Sequence, residues 1–162
     1  MYQDTKVAGD NAHLLSLLTD GFAYLGGAHG MSGHDGEVWD RKKNRTIKDA
    51  TTRFADKLQA LRAPYCKALE AQRVLVSEGA YTPQPGKKYN DIWDCPSFST
   101  LEIVPVGAPG KPFDRLRIIA APYIAGPYSD GTYDISFPMT ADLIALVKPQ
   151  YRAAFAPYTP AG

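Results

Sequence analysis

The sequence predicts an α+β domain, an antiparallel β-sheet with two or three helices packed on one face. Three observations predict it. Apolar positions recur at helical spacing in the middle of the chain, three segments of the last third alternate apolar and polar residues, and strand-like residues cluster near the start. Segregated strands and helices make a layered fold. Regular strand–helix alternation, which a doubly wound nucleotide fold requires, is absent, and no internal repeat is visible.

Residues 1–11 are polar and read as a flexible lead-in. From His13 to Leu25 the apolar residues run almost continuously. Gly21 and the Phe22/Tyr24 alternation favour a strand with a bulge or turn at Asp20-Gly21, and a short helix over His13–Leu18 is the alternative. Gly26 to Gly36 holds five glycines in eleven residues and reads as a loop. Glu37–Asp40 is a short strand, and Arg41–Arg45 a solvated turn. Ile47, Phe54, Leu58 and Leu61 then fall on one helical face. Pro64 suits a first helical turn, and a second helix runs from there to about Val76, ended by Gly79. After a Pro/Gly loop come alternating strands at Leu101–Pro105, Arg115–Ala120 and Tyr133–Phe137. Thr140 caps a last helix through Val147, and Pro149 interrupts the chain before Tyr151–Phe155.

At 162 residues and 44% hydrophobic content the chain fits one domain with a real core, placed at 12–156 with a tail at 157–162. Eighteen basic residues against seventeen acidic ones, with no basic face, argue against a nucleic-acid partner. No apolar run is long enough for a membrane helix. The start, Met1 to Lys6, lacks the apolar centre of a signal peptide, so the sequence reads as cytosolic or as a secreted protein without its leader. The two cysteines, Cys66 and Cys95, form no C-x-x-C pair. They fit either one disulfide or two buried thiols, and the long Pro/Gly-rich loop between them favours the bond, which the chain-entropy model values at about 3–4 kcal/mol.

Two motifs stand out: Tyr24-Leu25-Gly26-Gly27-Ala28-His29-Gly30, and Ala121-Pro122-Tyr123-Ile124-Ala125-Gly126-Pro127-Tyr128-Ser129-Asp130-Gly131. With Trp39-Asp40 between them and Phe137-Pro138 after them, this order and spacing resembles the domain of unknown function at the C-terminal end of RsiV-type anti-sigma factors, also found beside the catalytic domain of PdaC-type deacetylases. The resemblance runs from about Leu17 to Val147. The placement of Cys66 and Cys95 is similar to a Gram-negative branch of that family, which implies a disulfide and a periplasmic or extracellular location, the leader peptide or lipoprotein signal lying outside this sequence. It also implies a binding and sensing module. The RsiV domain binds lysozyme, whereas catalysis in the deacetylases belongs to a separate domain. This chain carries no transmembrane or sigma-binding segment of the RsiV kind.

The candidate ligand-binding residues are Tyr24, His29, Tyr123 and Tyr128, because tyrosines on a rigid loop offer large contact area with a polar tip. Gly26, Gly27, Gly30, Gly126, Pro127 and Gly131 are the structural motif residues. The expected partner is a lysozyme-like protein or a peptidoglycan fragment. No cofactor or metal is expected: His29, His34 and Asp35 share a loop that does not place them together as a helix would. The glycines lack a P-loop lysine, and Ser32 is not in a nucleophile elbow. Alternatives are a hydrolase centred on His29 and a structural accessory domain.

Overall fold

The computed structural model describes residues 1–47, 58–83 and 92–161. Among the described residues, seven strands form two antiparallel sheets rather than one. The first contains, in order, β1 (Tyr2–Asp10), β2 (Leu14–Ala23), β3 (Met31–Asp40) and β4 (Arg45–Ile47). The second is a meander of β5 (Glu102–Val106), β6 (Arg115–Ala120) and β7 (Tyr133–Pro138). Helix α1 spans Arg62–Val76, continuing a 3₁₀ turn at Leu58–Leu61, and α2 spans Ala141–Leu146. The α+β class stands, with helices and a disulfide in place.

Several local expectations are corrected. The start of the chain is a strand, not a flexible lead-in: β1 pairs with β2 from Tyr2↔Phe22 to Asp10↔Leu15. Its polar residues belong to an edge strand that faces water, a composition that reads as unstructured when the partner strand is out of view. Asp20-Gly21 is neither bulge nor turn, since both residues pair in register with β1 and with β3. The register shift falls instead between Val7 and Gly9. A Cβ on Gly9 would lie 2.5 Å from the Phe113 ring, so a glycine is needed there for the strand to pass.

The glycine-rich loop is also shorter than expected. Met31 to Gly36 is already strand, and buried Gly36 donates its N–H to the Glu102 carboxylate at 3.0 Å. Ile47 pairs with Val38 in β4 and is not helical, while Phe54 lies outside the described residues. The helical spacing of Ile47 from Leu58 and Leu61 is therefore coincidental. The Arg41–Asn44 turn is real, closed by the Lys43 N–H donating to buried Asp40 at 3.0 Å. Thr140 caps α2 by accepting from the Leu143 N–H, as its position predicted.

Period-two alternation sorts the second sheet's residues onto two faces. Ile103, Ile118 and Ile135 align across the three strands and join Tyr65 and Leu69 of α1 in the main core. The opposite face contributes Val104 and Ile119, which meet Leu18 of the first sheet. The core thus lies on both sides of the meander. Cys66 in α1 bonds to Cys95, with Cα atoms 5.6 Å apart, within the ordinary reach of a disulfide.

One core residue carries a pH prediction. Tyr65 is fully buried, and its hydroxyl has no hydrogen-bond partner among the described residues. Burial pushes its pKa from the ordinary 10.0 up to about 12. The folded value lies above the unfolded one, so this stabilisation is complete below about pH 10 and lost as pH rises through about 12, a change of about 3 kcal/mol. Tyr65→Phe should remove that alkaline loss and, by deleting an unpaired buried hydroxyl, stabilise the neutral protein by up to about 1 kcal/mol. Urea midpoints of both proteins at pH 7 and pH 11 check the pair of effects.

Candidate functional site

The loop 24–30 joins β2 to β3, and glycines let it close tightly. Gly26 and Gly27 have φ of 95° and 102°, a region that costs a side-chain-bearing residue strain. The Tyr24 hydroxyl donates to the Gly27 carbonyl at 2.9 Å across the loop. Gly30 is required for a different reason: a Cβ there would sit 2.2 Å from the Phe22 ring. Together these constraints turn His29 toward the second sheet.

The segment 121–132, between β6 and β7, meets it. The His29 ring stacks on Tyr128, centroids 3.7 Å apart and planes at 15°, and Tyr123 tilts against both at 5.9 and 5.7 Å. His29 Nδ1 lies 2.9 Å from the Gly30 carbonyl, an acceptor, so Nδ1 donates. In the neutral ring Nε2 then accepts from the Tyr123 hydroxyl at 3.0 Å. His29, Tyr123 and Tyr128 are therefore brought together as one cluster. Tyr24 is on the same loop and 59% exposed, its hydroxyl engaged within that loop.

Tyr123 has a φ of 71°, the left-handed region, and its side chain is 53% exposed. Holding a bulky residue there costs about 1–2 kcal/mol. The rest of its loop is rigidly built. Gly126 leaves room for the Asp130 carboxylate, which would be 2.8 Å from a Cβ and which accepts from the Tyr133 hydroxyl at 2.6 Å. Burial, then this hydrogen bond, raises the Tyr133 pKa. Pro127 precedes a 3₁₀ turn at Tyr128–Asp130, and Gly131, with φ of 74°, ends it by donating to the Tyr128 carbonyl at 3.0 Å.

Sequence reasoning missed two contributors, the Asp20–His34–Thr132 tether and Arg73. His34 pairs across strands with Asp20 and contacts its carboxylate at 2.7 Å through Nδ1, while Nε2 lies 2.9 Å from the Thr132 hydroxyl. It is a second tether between the hairpin and the same loop. His34 and Asp35 point to opposite faces because neighbours on a strand alternate, so the loop-borne His/Asp grouping dissolves. Among the described residues no three His, Cys, Asp or Glu side chains converge as a metal cage would need. The second contributor is Arg73, fully buried, whose Nε donates to the Ala125 carbonyl at 2.8 Å. It follows Tyr65 and Leu69 at spacings of four, and a basic residue on an apolar helical stripe was the signal that could have found it.

These features define a disulfide-stapled α+β domain of two antiparallel sheets, with an aromatic cluster assembled where two loops meet. Solved structures share this fold. A DUF3298 family protein from Pseudomonas aeruginosa PAO1 aligns with a TM-score of 0.55 and 16% identity over 98% of this chain and 64% of its own. A DUF3298 family member from Bacteroides fragilis NCTC 9343 aligns with a TM-score of 0.53 and 17% identity over 92% of this chain and 54% of its own. The chain thus spans less than two thirds of either structure's length, and the likeness is one of fold. No family model and no curated protein matches the sequence.

Proposed function

We propose that this chain is an extracytoplasmic recognition module of the bacterial envelope, of the RsiV-like kind its motifs resemble, which binds a cell-wall glycan fragment on the His29–Tyr123–Tyr128 face. The observation that carries this reading is Tyr123. A half-exposed tyrosine held in a left-handed conformation against a stacked aromatic pair is strain retained where a ligand would gain from it. Flat aromatic faces with polar tips suit the apolar face and hydroxyl rim of a sugar ring. The disulfide agrees with an oxidising compartment, and among the described residues no helix is long and apolar enough to cross a membrane.

A second reading, a lysozyme-type muramidase as the partner, is favoured by the exposed apolar residues flanking the cluster. Leu25 is 87% and Met31 68% exposed, an area suited to a protein surface. A hydrolase centred on His29 is less well supported, since its two ring nitrogens are engaged by the Gly30 carbonyl and the Tyr123 hydroxyl rather than by a carboxylate.

Tyr123→Gly separates binding from support. Glycine adopts the left-handed backbone freely, so the variant should keep native stability within about 1 kcal/mol while losing the phenol. Calorimetric titration with muropeptides and with lysozyme should show at least a tenfold loss of affinity for the true ligand. If the native protein gives no heat with either ligand, the recognition reading is wrong.

A further inference from the structure

A concavity of about 290 Å³ lies between the end of α1, Trp93 and residues Pro127, Ser129 and Asp130 of the turn that carries Tyr128. We infer that it is a second saccharide subsite, taking a neutral or N-acetylated pyranose next to the sugar bound at Tyr123 and Tyr128. This rests on the glycan reading above and extends it along the chain of sugars.

One buried cation holds both walls of this concavity. The Arg73 guanidinium donates to the carbonyls of Ile92 at 3.2 Å, Trp93 at 2.8 Å and Asp94 at 3.1 Å, which sets the wall bearing the indole. Its Nε holds Ala125 at 2.8 Å, which sets the wall bearing Pro127, Ser129 and Asp130. The Trp93 segment is irregular backbone, yet the Cys66–Cys95 bond and two hydrogen bonds from Arg62, to Cys95 and Pro96, anchor it as well. The Trp93 ring is further set by stacking on Tyr81 at 4.6 Å. A concave aromatic wall held this firmly binds without an ordering cost.

The lining chemistry matches a sugar. Trp93, Val76 and Pro127 offer apolar surface for the ring's C–H face, while Ser129 and the carboxylates of Glu78 and Asp130 offer acceptors for its hydroxyls. The two carboxylates disfavour an acidic sugar. Ser129 and Pro127 flank Tyr128 in sequence, so the concavity and the aromatic face share one short turn and one glycan strand can reach both.

The test compares the β-1,4-linked dimer and tetramer of N-acetylglucosamine on the full chain. The tetramer should bind at least tenfold tighter than the dimer, and Trp93→Ala should reduce tetramer affinity to that of the dimer without changing the dimer's. Ser129→Tyr, at an exposed position that disturbs no core contact, should fill the concavity and have the same effect, which guards against a folding defect in the first variant. In a Trp39→Phe background Trp93 is the only tryptophan, and its emission should shift with the tetramer and not with the dimer. Equal dimer and tetramer affinities, or a tetramer preference that survives both variants, overturn the subsite while Tyr123-dependent dimer binding keeps the first reading intact. Absence of binding by either oligomer overturns both.

Discussion

Replacing Arg73 with methionine is expected to destabilise the fold by about 3–5 kcal/mol, the usual cost of removing one partner from a buried charged network. The guanidinium is fully buried and among the described residues makes five hydrogen bonds: four to carbonyls, at Ile92, Trp93, Asp94 and Ala125, and one to Glu70 at 2.7 Å. Methionine fills similar volume but leaves those carbonyls without their donor, at about 1–3 kcal/mol for each that water cannot reach. Glu70 contributes less. It is partly exposed and also accepts from the Tyr81 hydroxyl at 2.6 Å, so Glu70→Gln should cost under about 1 kcal/mol after solvent screening. Arg73→Lys should recover only part of the loss, because a point-like ammonium cannot serve several carbonyls set around a planar fork. Urea unfolding of the three variants at pH 7 gives the ranking. A methionine variant within about 1 kcal/mol of native would show that the clamp is dispensable.

Reduction of the Cys66–Cys95 bond is expected to cost about 3–4 kcal/mol through the unfolded chain's regained freedom, given a separation of 29 residues. For a domain of this size that corresponds to a fall in the thermal midpoint of about 10 °C. The reduced protein should nonetheless stay folded, because Arg62 holds the Cys95 and Pro96 carbonyls at 2.7 and 2.6 Å and Arg73 holds the three before them. The disulfide and the Arg73 clamp act on the same segment, so their losses couple rather than add independently. Thermal scans with and without reductant, on the native chain and on Arg73→Met, make the comparison. Reduction should be tolerated by the first and not by the second. A reduced native chain with an unchanged midpoint would mean that the bond adds no stability.

The strands of the second sheet were legible because they keep a clean period of two. Leu116 and Ile118 face the core while Arg115 and Arg117 face away, and nothing nonlocal is needed to read that. Cap chemistry was equally local, as Thr140 shows. The first sheet was harder. Tyr2–Asp10 is polar because one edge is open to water, and although β2 follows after only residues 11–13, the strand carries no apolar–polar alternation that would mark it. Met31–Gly36 reads as loop because glycine usually marks one, whereas in the fold Gly36 is a strand residue whose N–H donates to the Glu102 carboxylate.

The candidate site divides in the same way. Its residue types were visible in two motifs, and His29, Tyr123 and Tyr128 do meet. The Asp20–His34–Thr132 tether and the Arg73 clamp were not visible, since His34 to Thr132 spans 98 positions and Arg73 to Ala125 spans 52, between elements whose register no local signal records.

By itself, then, the sequence determined the α+β class, the meander, the cap of α2 and the identity of the signature loops, because these depend on periodicity and on the conformational limits of glycine and proline. The tertiary structure alone decided that the strands divide between two sheets, that the polar start is an edge strand, and that a buried arginine sets both walls beside the Gly126-Pro127 loop. Pairing register and the burial of a charge are properties of surfaces meeting in space, and they have no local signature along the chain.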